Sequence, residues 1–115
     1  MTLREKQSKF ARLVPLLITQ AFEMGYEVTL GEGWRSPEEA KRLAGLKKGI
    51  KRSLHCDRLA IDLNLFKDGK WLKTTENHHT LGVWWELQSG PDFTCCWGGR
   101  FGDGNHYSLS YDGRK

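Results

Sequence analysis

The stretch 59–66 constrains the fold most, because it alternates aliphatic residues with small or polar ones. A period of two is typical of a β-strand, whose successive side chains point to opposite faces. The aliphatic face consists of Leu59, Ile61, Leu63 and Leu65. Asp62 falls on the other face, so the sequence predicts a strand that covers a core on one side and presents a carboxylate on the other.

The N-terminal segment has the signals of an amphipathic helix. Thr2 and Glu5 have the spacing of a capping box, and Gly25 is a stop signal. Apolar residues recur between them at helical spacing: Phe10, Leu13, Val14, Leu17, Ala21 and Phe22. Pro15 lies inside this pattern and removes a backbone donor, so we expect it to kink the helix or to split it in two.

The remaining signals predict short helices and strands. Residues 26–30 alternate as a strand does, and Ser36-Pro37 begins a helix that should end near Gly45. A hairpin turn is predicted at 67–70, and a helix capped by Thr74 or Thr75 should contain Leu81, Trp84, Trp85 and Leu87. This pattern supports a mixed α and β fold and no finer assignment.

Composition and charge indicate one globular domain with an acidic partner. The chain has 115 residues, 38% of them hydrophobic and 28% charged, which fits a single domain over 1–115. The net charge of +4 favours contact with nucleic acid, an anionic membrane surface or a cell wall that carries carboxylates. Three cysteines without CxxC spacing make a disulfide framework unexpected. The N-terminus has no apolar signal region and no run approaches membrane-spanning length, so we expect a protein made in the cytoplasm without stable membrane association.

Two short segments contain candidate metal ligands. A hydrolytic zinc site needs three protein ligands, commonly two histidines and one carboxylate, and an open position. His55 precedes the predicted strand that carries Asp62, and Asp103 lies just before His106. A tight turn between the last two would let Asp103 act as a general base and acid on a nearby water molecule. By spacing alone this signal is weak, because single His and Asp residues are usually ordinary surface or hydrogen-bonded groups.

The segment SLHCDRLAID, residues 53–62, makes the signal specific. It matches the pattern S-x-H-x(4)-A-x-D of the zinc D-Ala-D-Ala carboxypeptidase and L-alanyl-D-glutamate endopeptidase family. GWRS at 33–36 and WGGRFGDGNHYSL at 97–109 are similar to further blocks of that family, the second of which carries its catalytic acid and last histidine. The chain thus resembles a phage endolysin of this kind, in matching order from residue 33 to residue 109.

The resemblance implies both a fold and a metal centre. The fold would be α+β, with helices packed on an antiparallel sheet that bears the zinc site, as in hedgehog and D-Ala-D-Ala peptidase-like domains. One Zn2+ per chain would be held by His55, Asp62 and His106, and Asp103 would be the catalytic acid/base. The domain would hydrolyse an amide bond of peptidoglycan stem peptides, with the L-Ala-D-Glu bond favoured.

Three further residues are candidates for contact with substrate. The resemblance implies that Arg35 binds a substrate carbonyl or carboxylate, a task that suits a permanently charged fork of donors. An ordinary surface salt bridge is an equally good explanation of Arg35. Ser53, the first residue of the family motif, would bind substrate, and Tyr107, next to His106, is a candidate oxyanion donor.

The expected biological setting is host lysis, and several alternatives stay open. We expect a monomer without a separate cell-wall-binding domain, which reaches the periplasmic wall from the host cytoplasm once the membrane is permeabilised. The alternatives are a D-Ala-D-Ala carboxypeptidase, in which Arg35 would grip the free carboxylate, and a non-catalytic wall-binding module. A nucleic-acid-binding protein is disfavoured, because the positive charge is spread along the chain and no nucleic-acid motif occurs.

Some residues depart from the family pattern or have ordinary explanations. Many relatives have glycine at the position of Arg58, and carboxypeptidase relatives often have Glu and Trp at those of Asp103 and Asn105, which bears on substrate specificity. We expect His78 and His79 to be exposed and not to bind metal. A basic loop is interpreted as a solvated connector: Lys47, Lys48, Lys51 and Arg52.

Overall fold

The computed structural model describes residues 1–46 and 53–115, in which helices and strands are interspersed along the chain. In chain order the elements are α1 (Leu3–Glu23), β1 (Glu27–Leu30), α2 (Pro37–Gly45), β2 (Ala60–Lys67), β3 (Lys70–Leu72), α3 (His79–Glu86), β4 (Cys95–Trp97) and β5 (His106–Leu109). Two 3-10 helices, Glu76–His78 and Gly98–Phe101, precede α3 and follow β4. The fold is a small α+β domain.

The described strands form one antiparallel sheet around β2. Their order is β1-β2-β5-β4, and β3 also pairs with β2. The second half of β2 lies between β1 and β3, whereas its first half pairs with β5 in the register Ala60 opposite Ser108 and Asp62 opposite His106. The predicted strand therefore has neighbours along its whole length.

The first helix runs without interruption through Pro15. Thr2 and Glu5 form the predicted capping box, and the buried face consists of Phe10, Leu13, Leu17 and Ala21. The expectation of a split helix is wrong, because Pro15 lies on the exposed face. Because proline has no N–H, the carbonyl one turn before Pro15 lacks its helical hydrogen-bond donor. Water can donate to that carbonyl instead on an exposed face.

The core lies where α1 and α3 pack on the sheet. α1 contacts β1, β5 and α3, and α3 contacts β4. Trp85 of α3 is fully buried, and its indole Nε1 donates to the carbonyl oxygens of Cys96 and Ser108, 3.1 Å away in each case. Those two residues are paired across β4 and β5, so one side chain ties the helix to both strands.

The short turns follow the sequence signals. Ser36 caps α2 by accepting a hydrogen bond from the backbone N–H of Glu39 at 3.0 Å, and Pro37 begins the helix. The hairpin between β2 and β3 turns through Asp68 and Gly69, both of which have positive φ.

Other sequence expectations concern the cysteines, the basic loop and the membrane. The three cysteines are free thiols. The predicted basic loop (Lys47, Lys48, Lys51 and Arg52) lies outside the described residues. None of the described helices combines the length and the apolar character needed to cross a membrane.

Replacing Trp85 with Phe should lower the free energy of unfolding by about 1–3 kcal/mol, because two buried carbonyl groups lose their shared donor. Urea unfolding followed by circular dichroism measures this change. Trp71→Phe is the matched control, since Trp71 is exposed and its loss should cost less than about 0.5 kcal/mol. Equal effects of the two substitutions would contradict this account of Trp85.

Candidate metal centre

Three side chains, two from interior strands of the sheet and one from a turn, converge on the sheet face that carries Asp62. Asp62 on β2 lies opposite His106 on β5, and His55 comes from the turn before β2. The Nε2 atom of His55 and the Nδ1 atom of His106 each lie 3.3 Å from the same oxygen, Oδ1 of Asp62. One ligand atom from each residue can be chosen so that all three lie within 4.8 Å of one another. This buried group could hold a metal ion.

The ring of His55 is fixed by a backbone carbonyl. Its Nδ1 lies 2.7 Å from the carbonyl oxygen of Gly33, which can only accept, so Nδ1 carries the proton and Nε2 has a free lone pair. Nε2 is the nitrogen that faces Asp62. A carbonyl that fixes the tautomer of a ligand histidine in this way is a recurrent feature of metal sites.

The cluster also contains buried polar atoms without hydrogen-bond partners. Oδ1 of Asp62 and Nε2 of His106 are buried and have no such partner in the described ranges. The two imidazoles approach Asp62 Oδ1 closely, but their geometry does not make hydrogen bonds. Because buried polar atoms in folded proteins nearly always have a partner, the unpartnered Oδ1 of Asp62, which two imidazole nitrogens face, fits a donor set directed at an ion. Two nitrogen donors and one carboxylate oxygen fit a divalent transition metal.

Electrostatics favour an ionised Asp62. Burial opposes its ionisation, but the neighbouring His106 and His55 outweigh that effect and lower the pKa of Asp62 to about 2. The pKa of His55 is affected in the opposite way. Burial would lower it, but Asp62, the Gly33 carbonyl and Glu32 together raise it above its ordinary value. The candidate centre thus has an anionic donor group at neutral pH, and a proton on His55 would compete with a metal ion.

Two glycines permit the close packing behind the ligands. A Cβ atom at Gly98 would overlap the carbonyl oxygen of Asp103 and approach the Cβ of His106 too closely. A Cβ at Gly31 would press on the backbone carbonyl and Cβ of Asp62. The absence of a side chain at Gly98 therefore lets the Asp103 turn pack closely there. The absence of one at Gly31 does the same for the strand that carries Asp62.

Asp103 lies beside the cluster and remains accessible. Its Oδ2 is 4.0 Å from Nδ1 of His106, and its side chain is 55% exposed. The turn is tight, as predicted, because the backbone N–H of His106 donates to the Asp103 carbonyl at 3.1 Å. Partial burial raises the pKa of Asp103 above its ordinary value, with a further contribution from Asp62 that His106 opposes. A carboxylate with a raised pKa at the mouth of such a site has the placement of a general base.

Arg35 lies next to the cluster in an ion pair with Glu32. The Nη2 atom of Arg35 donates to Oε1 of Glu32, and the arginine side chain is only 12% exposed. The same Glu32 oxygen is 3.7 Å from Nε2 of His55. Arg35 thus forms a salt bridge, which was the alternative explanation of this residue. The salt bridge is not an ordinary surface pair, because the arginine is largely buried and adjoins the candidate ligands. Glu32 was not among the predicted site residues, because the segment 31–33 has only the pattern of a strand end.

The structure does not bring Ser53 or Tyr107 to the site as substrate contacts. Ser53 is buried, and its hydroxyl accepts a hydrogen bond from the backbone N–H of His55 at 3.1 Å. Tyr107 follows His106 on β5 and so points to the opposite face, into the core, where it is fully buried. Its hydroxyl is 2.7 Å from Nδ1 of His78. Both assignments are therefore corrected to structural roles.

The expectation of two exposed histidines is wrong for His78. The 3-10 helix before α3 turns this side chain inward to Tyr107, and burial lowers the pKa of His78 to about 4. His79 is exposed and packs edge-on against the Trp97 ring. Neither residue belongs to the group of candidate ligands.

A polar cavity adjoins Asp103 on the side of β3. Its volume is about 180 Å³, and Asp103 forms part of its wall. Trp71, Lys73 and Asn105 also line it. The exposed carboxylate of Asp103 thus lies between this cavity and the candidate metal centre.

Replacing His106 with Ala should abolish tight binding of one metal ion per chain, because two protein ligands hold zinc far more weakly than three. Inductively coupled plasma mass spectrometry after dialysis against zinc measures the stoichiometry. His79→Ala is the matched control and should retain the ion. Full occupancy in His106→Ala would remove this residue from the centre.

A scan against models of known protein families finds no match for this chain, and a search of curated proteins finds no relative. The case for a function therefore comes from the chain's own residues. Those residues establish a buried His55-Asp62-His106 group that could hold a metal ion, next to an accessible carboxylate.

Proposed function

We propose that the protein is a zinc-dependent peptidase that hydrolyses an amide bond in peptidoglycan stem peptides, most favourably the L-Ala-D-Glu bond. The observation that carries the proposal is the combination of three convergent ligand atoms with a fourth, non-ligand carboxylate. His55, Asp62 and His106 would hold one Zn2+, and Asp103 stands next to them with its side chain half exposed. Three ligands and one open position are the arrangement of catalytic zinc sites.

In this mechanism Asp103 moves the proton. The chemistry that zinc supplies when bound is polarisation of the scissile carbonyl and a lowered pKa of water. Asp103 would take a proton from the attacking water and then deliver it to the departing amine. Its raised pKa and its position between the cluster and the cavity suit both halves of that transfer.

Arg35 would supply fixed positive charge beside the reacting carbonyl. It is largely buried, and its charge acts on both Asp62 and Asp103. Negative charge that develops on a carbonyl oxygen is stabilised by such a preorganised group. Its ion pair with Glu32 makes Arg35 less suited to gripping a free substrate carboxylate, and this favours an endopeptidase over the D-Ala-D-Ala carboxypeptidase alternative.

The substrate class and the setting rest on the sequence resemblance. The SLHCDRLAID and WGGRFGDGNHYSL segments supply all three proposed ligands and Asp103. The pairing of Asp62 with His106 across β2 and β5 supports a hedgehog or D-Ala-D-Ala peptidase-like arrangement as part of this proposal. A phage endolysin that reaches the periplasmic wall after the host membrane is permeabilised accounts for the peptide substrate, and the net charge of +4 favours approach to an anionic wall. A non-catalytic wall-binding module is less favoured, because an accessible Asp103 has no task there.

Replacing Asp103 with Asn should leave zinc content and fold intact but lower turnover at least about a hundredfold, because acid/base catalysis contributes roughly two to four orders of magnitude. Release of peptides from purified peptidoglycan gives the rate, and metal analysis gives the zinc content. Asp92→Asn, at an exposed loop carboxylate, is the matched control and should retain activity. Loss of zinc from Asp103→Asn with recovery of activity in excess metal would make Asp103 a ligand instead.

Mass spectrometry of the digestion products should identify the cleaved bond. Cleavage between L-Ala and D-Glu produces a fragment that ends in L-Ala and a peptide with a new D-Glu amino group. Release of free D-Ala without that peptide would replace the endopeptidase with the carboxypeptidase. Binding of intact peptidoglycan with no soluble product at any zinc concentration would support the non-catalytic module.

A further inference from the structure

A second carboxylate, that of Glu32, lies next to the candidate metal centre. Its Oε1 atom is 3.7 Å from Nε2 of His55, the nitrogen proposed to bind the metal. Glu32 is nevertheless not part of the group whose ligand atoms all lie within 4.8 Å of one another. The carboxylate is therefore adjacent to the metal position without being one of its three convergent ligands.

Backbone pairing keeps Glu32 at this place. The N–H of Gly31 donates to the carbonyl of Asp62, and the N–H of Asp62 donates to the carbonyl of Glu32, both at 2.8 Å. These bonds extend the β1-β2 ladder beyond Leu30 and fix the main chain of Glu32 beside a ligand. A small movement of the side chain would then suffice to bring its carboxylate to the ion.

A fourth protein ligand would change the character of the site. Zinc centres with four protein ligands are structural and closed, whereas catalytic centres keep one position for water or substrate. A divalent cation bound to His55 would attract the neighbouring Glu32 carboxylate strongly, since the site is partly shielded from water. Something must therefore hold Glu32 off the metal if the centre is to stay open.

Arg35 is the group in position to do so. Its Nη2 donates to the same Glu32 oxygen, and charge-assisted bonds of this kind are the strongest that side chains make. The arginine is itself anchored, because its backbone N–H donates to the carbonyl of His55 at 3.1 Å and its side chain is largely buried.

We infer that Arg35 and Glu32 are positioning residues: Arg35 holds the Glu32 carboxylate away from the metal and so keeps the fourth coordination position open. The inference rests on the metal centre of the proposed function, but not on its peptidase activity. Without the guanidinium, Glu32 turns to the ion and completes a closed set of two histidines and two carboxylates.

The test is the zinc affinity of R35M in two backgrounds, measured by competition with a chromophoric chelator. R35M should bind zinc at least about tenfold more tightly than the parent, a change on the scale of those produced by groups around a metal site. Loss of a positive charge could itself raise the affinity, and the E32Q background separates this effect. In the E32Q background, R35M should give no comparable gain in zinc affinity. An equal gain in zinc affinity in both backgrounds would overturn the inference, and so would the absence of a gain in both.

Two further variants keep the inference testable if R35M does not fold. E32Q alone should change zinc affinity by no more than about threefold, because Glu32 does not bind the metal in the parent; a loss of about tenfold or more would make it a ligand and overturn the inference. R35K retains a cation that can pair with Glu32 and should match the parent. If R35K bound zinc as tightly as R35M does, the proposed role of the Arg35–Glu32 ion pair would be contradicted.

Cobalt provides a readout that does not depend on activity. The visible absorption of Co2+ bound in place of zinc reports its coordination, so R35M should alter the parent spectrum and E32Q/R35M should restore it. Identical spectra in all three proteins would overturn the inference. A parent chain that binds neither metal would overturn both proposals, whereas a zinc-binding parent without peptidase activity would count against the proposed function alone.

Discussion

The antiparallel pairing of β2 with β5 is the interaction on which the candidate site depends. It places Asp62 directly opposite His106, although the two residues are distant in sequence. A shift of this register by one residue would turn one of the two side chains into the core. The aliphatic residues of β2 and the burial of Tyr107 and Leu109 in β5 oppose such a shift, so the packing that stabilises the sheet also fixes two of the three candidate ligands.

The third ligand and the charged groups are positioned by loops that attach to this pair of strands. The carbonyl of Gly33 orients His55, and the hydroxyl of Ser53 holds the turn from which His55 projects. Gly98 lets the Asp103 turn approach β5 closely. The result is a set of candidate ligands, two buried histidines and a partly buried aspartate, bordered by two carboxylates in different environments. Asp103 is accessible and lies next to a cavity, whereas Glu32 is engaged by Arg35.

The sequence predicted those features that depend on local periodicity. Alternation over 59–66 predicted the strand and the outward direction of Asp62, and capping signals predicted where α1 and α2 begin. Pro15 was expected to kink or split α1, but the helix continues through it, because a missing backbone hydrogen bond is tolerable on an exposed face. Side chains alternate along β5, so Tyr107 points to the sheet face opposite that of His106. The adjacency of Tyr107 to His106 in sequence therefore did not indicate a shared function. The inward turn of His78 arises from a 3-10 helix that an α-helical pattern does not anticipate. Glu32 could not be predicted, because its position is set by a ladder between segments far apart in the chain.

The central claim is that His55, Asp62 and His106 form a metal centre of nitrogen and oxygen donors. X-ray absorption spectroscopy of the protein loaded with one equivalent of zinc tests it most directly. The account predicts two imidazole nitrogens and additional oxygens at about 2.0–2.2 Å, without sulfur. A scatterer at about 2.3 Å, the distance of a thiolate such as that of Cys56, or a spectrum without imidazole scattering, would contradict it.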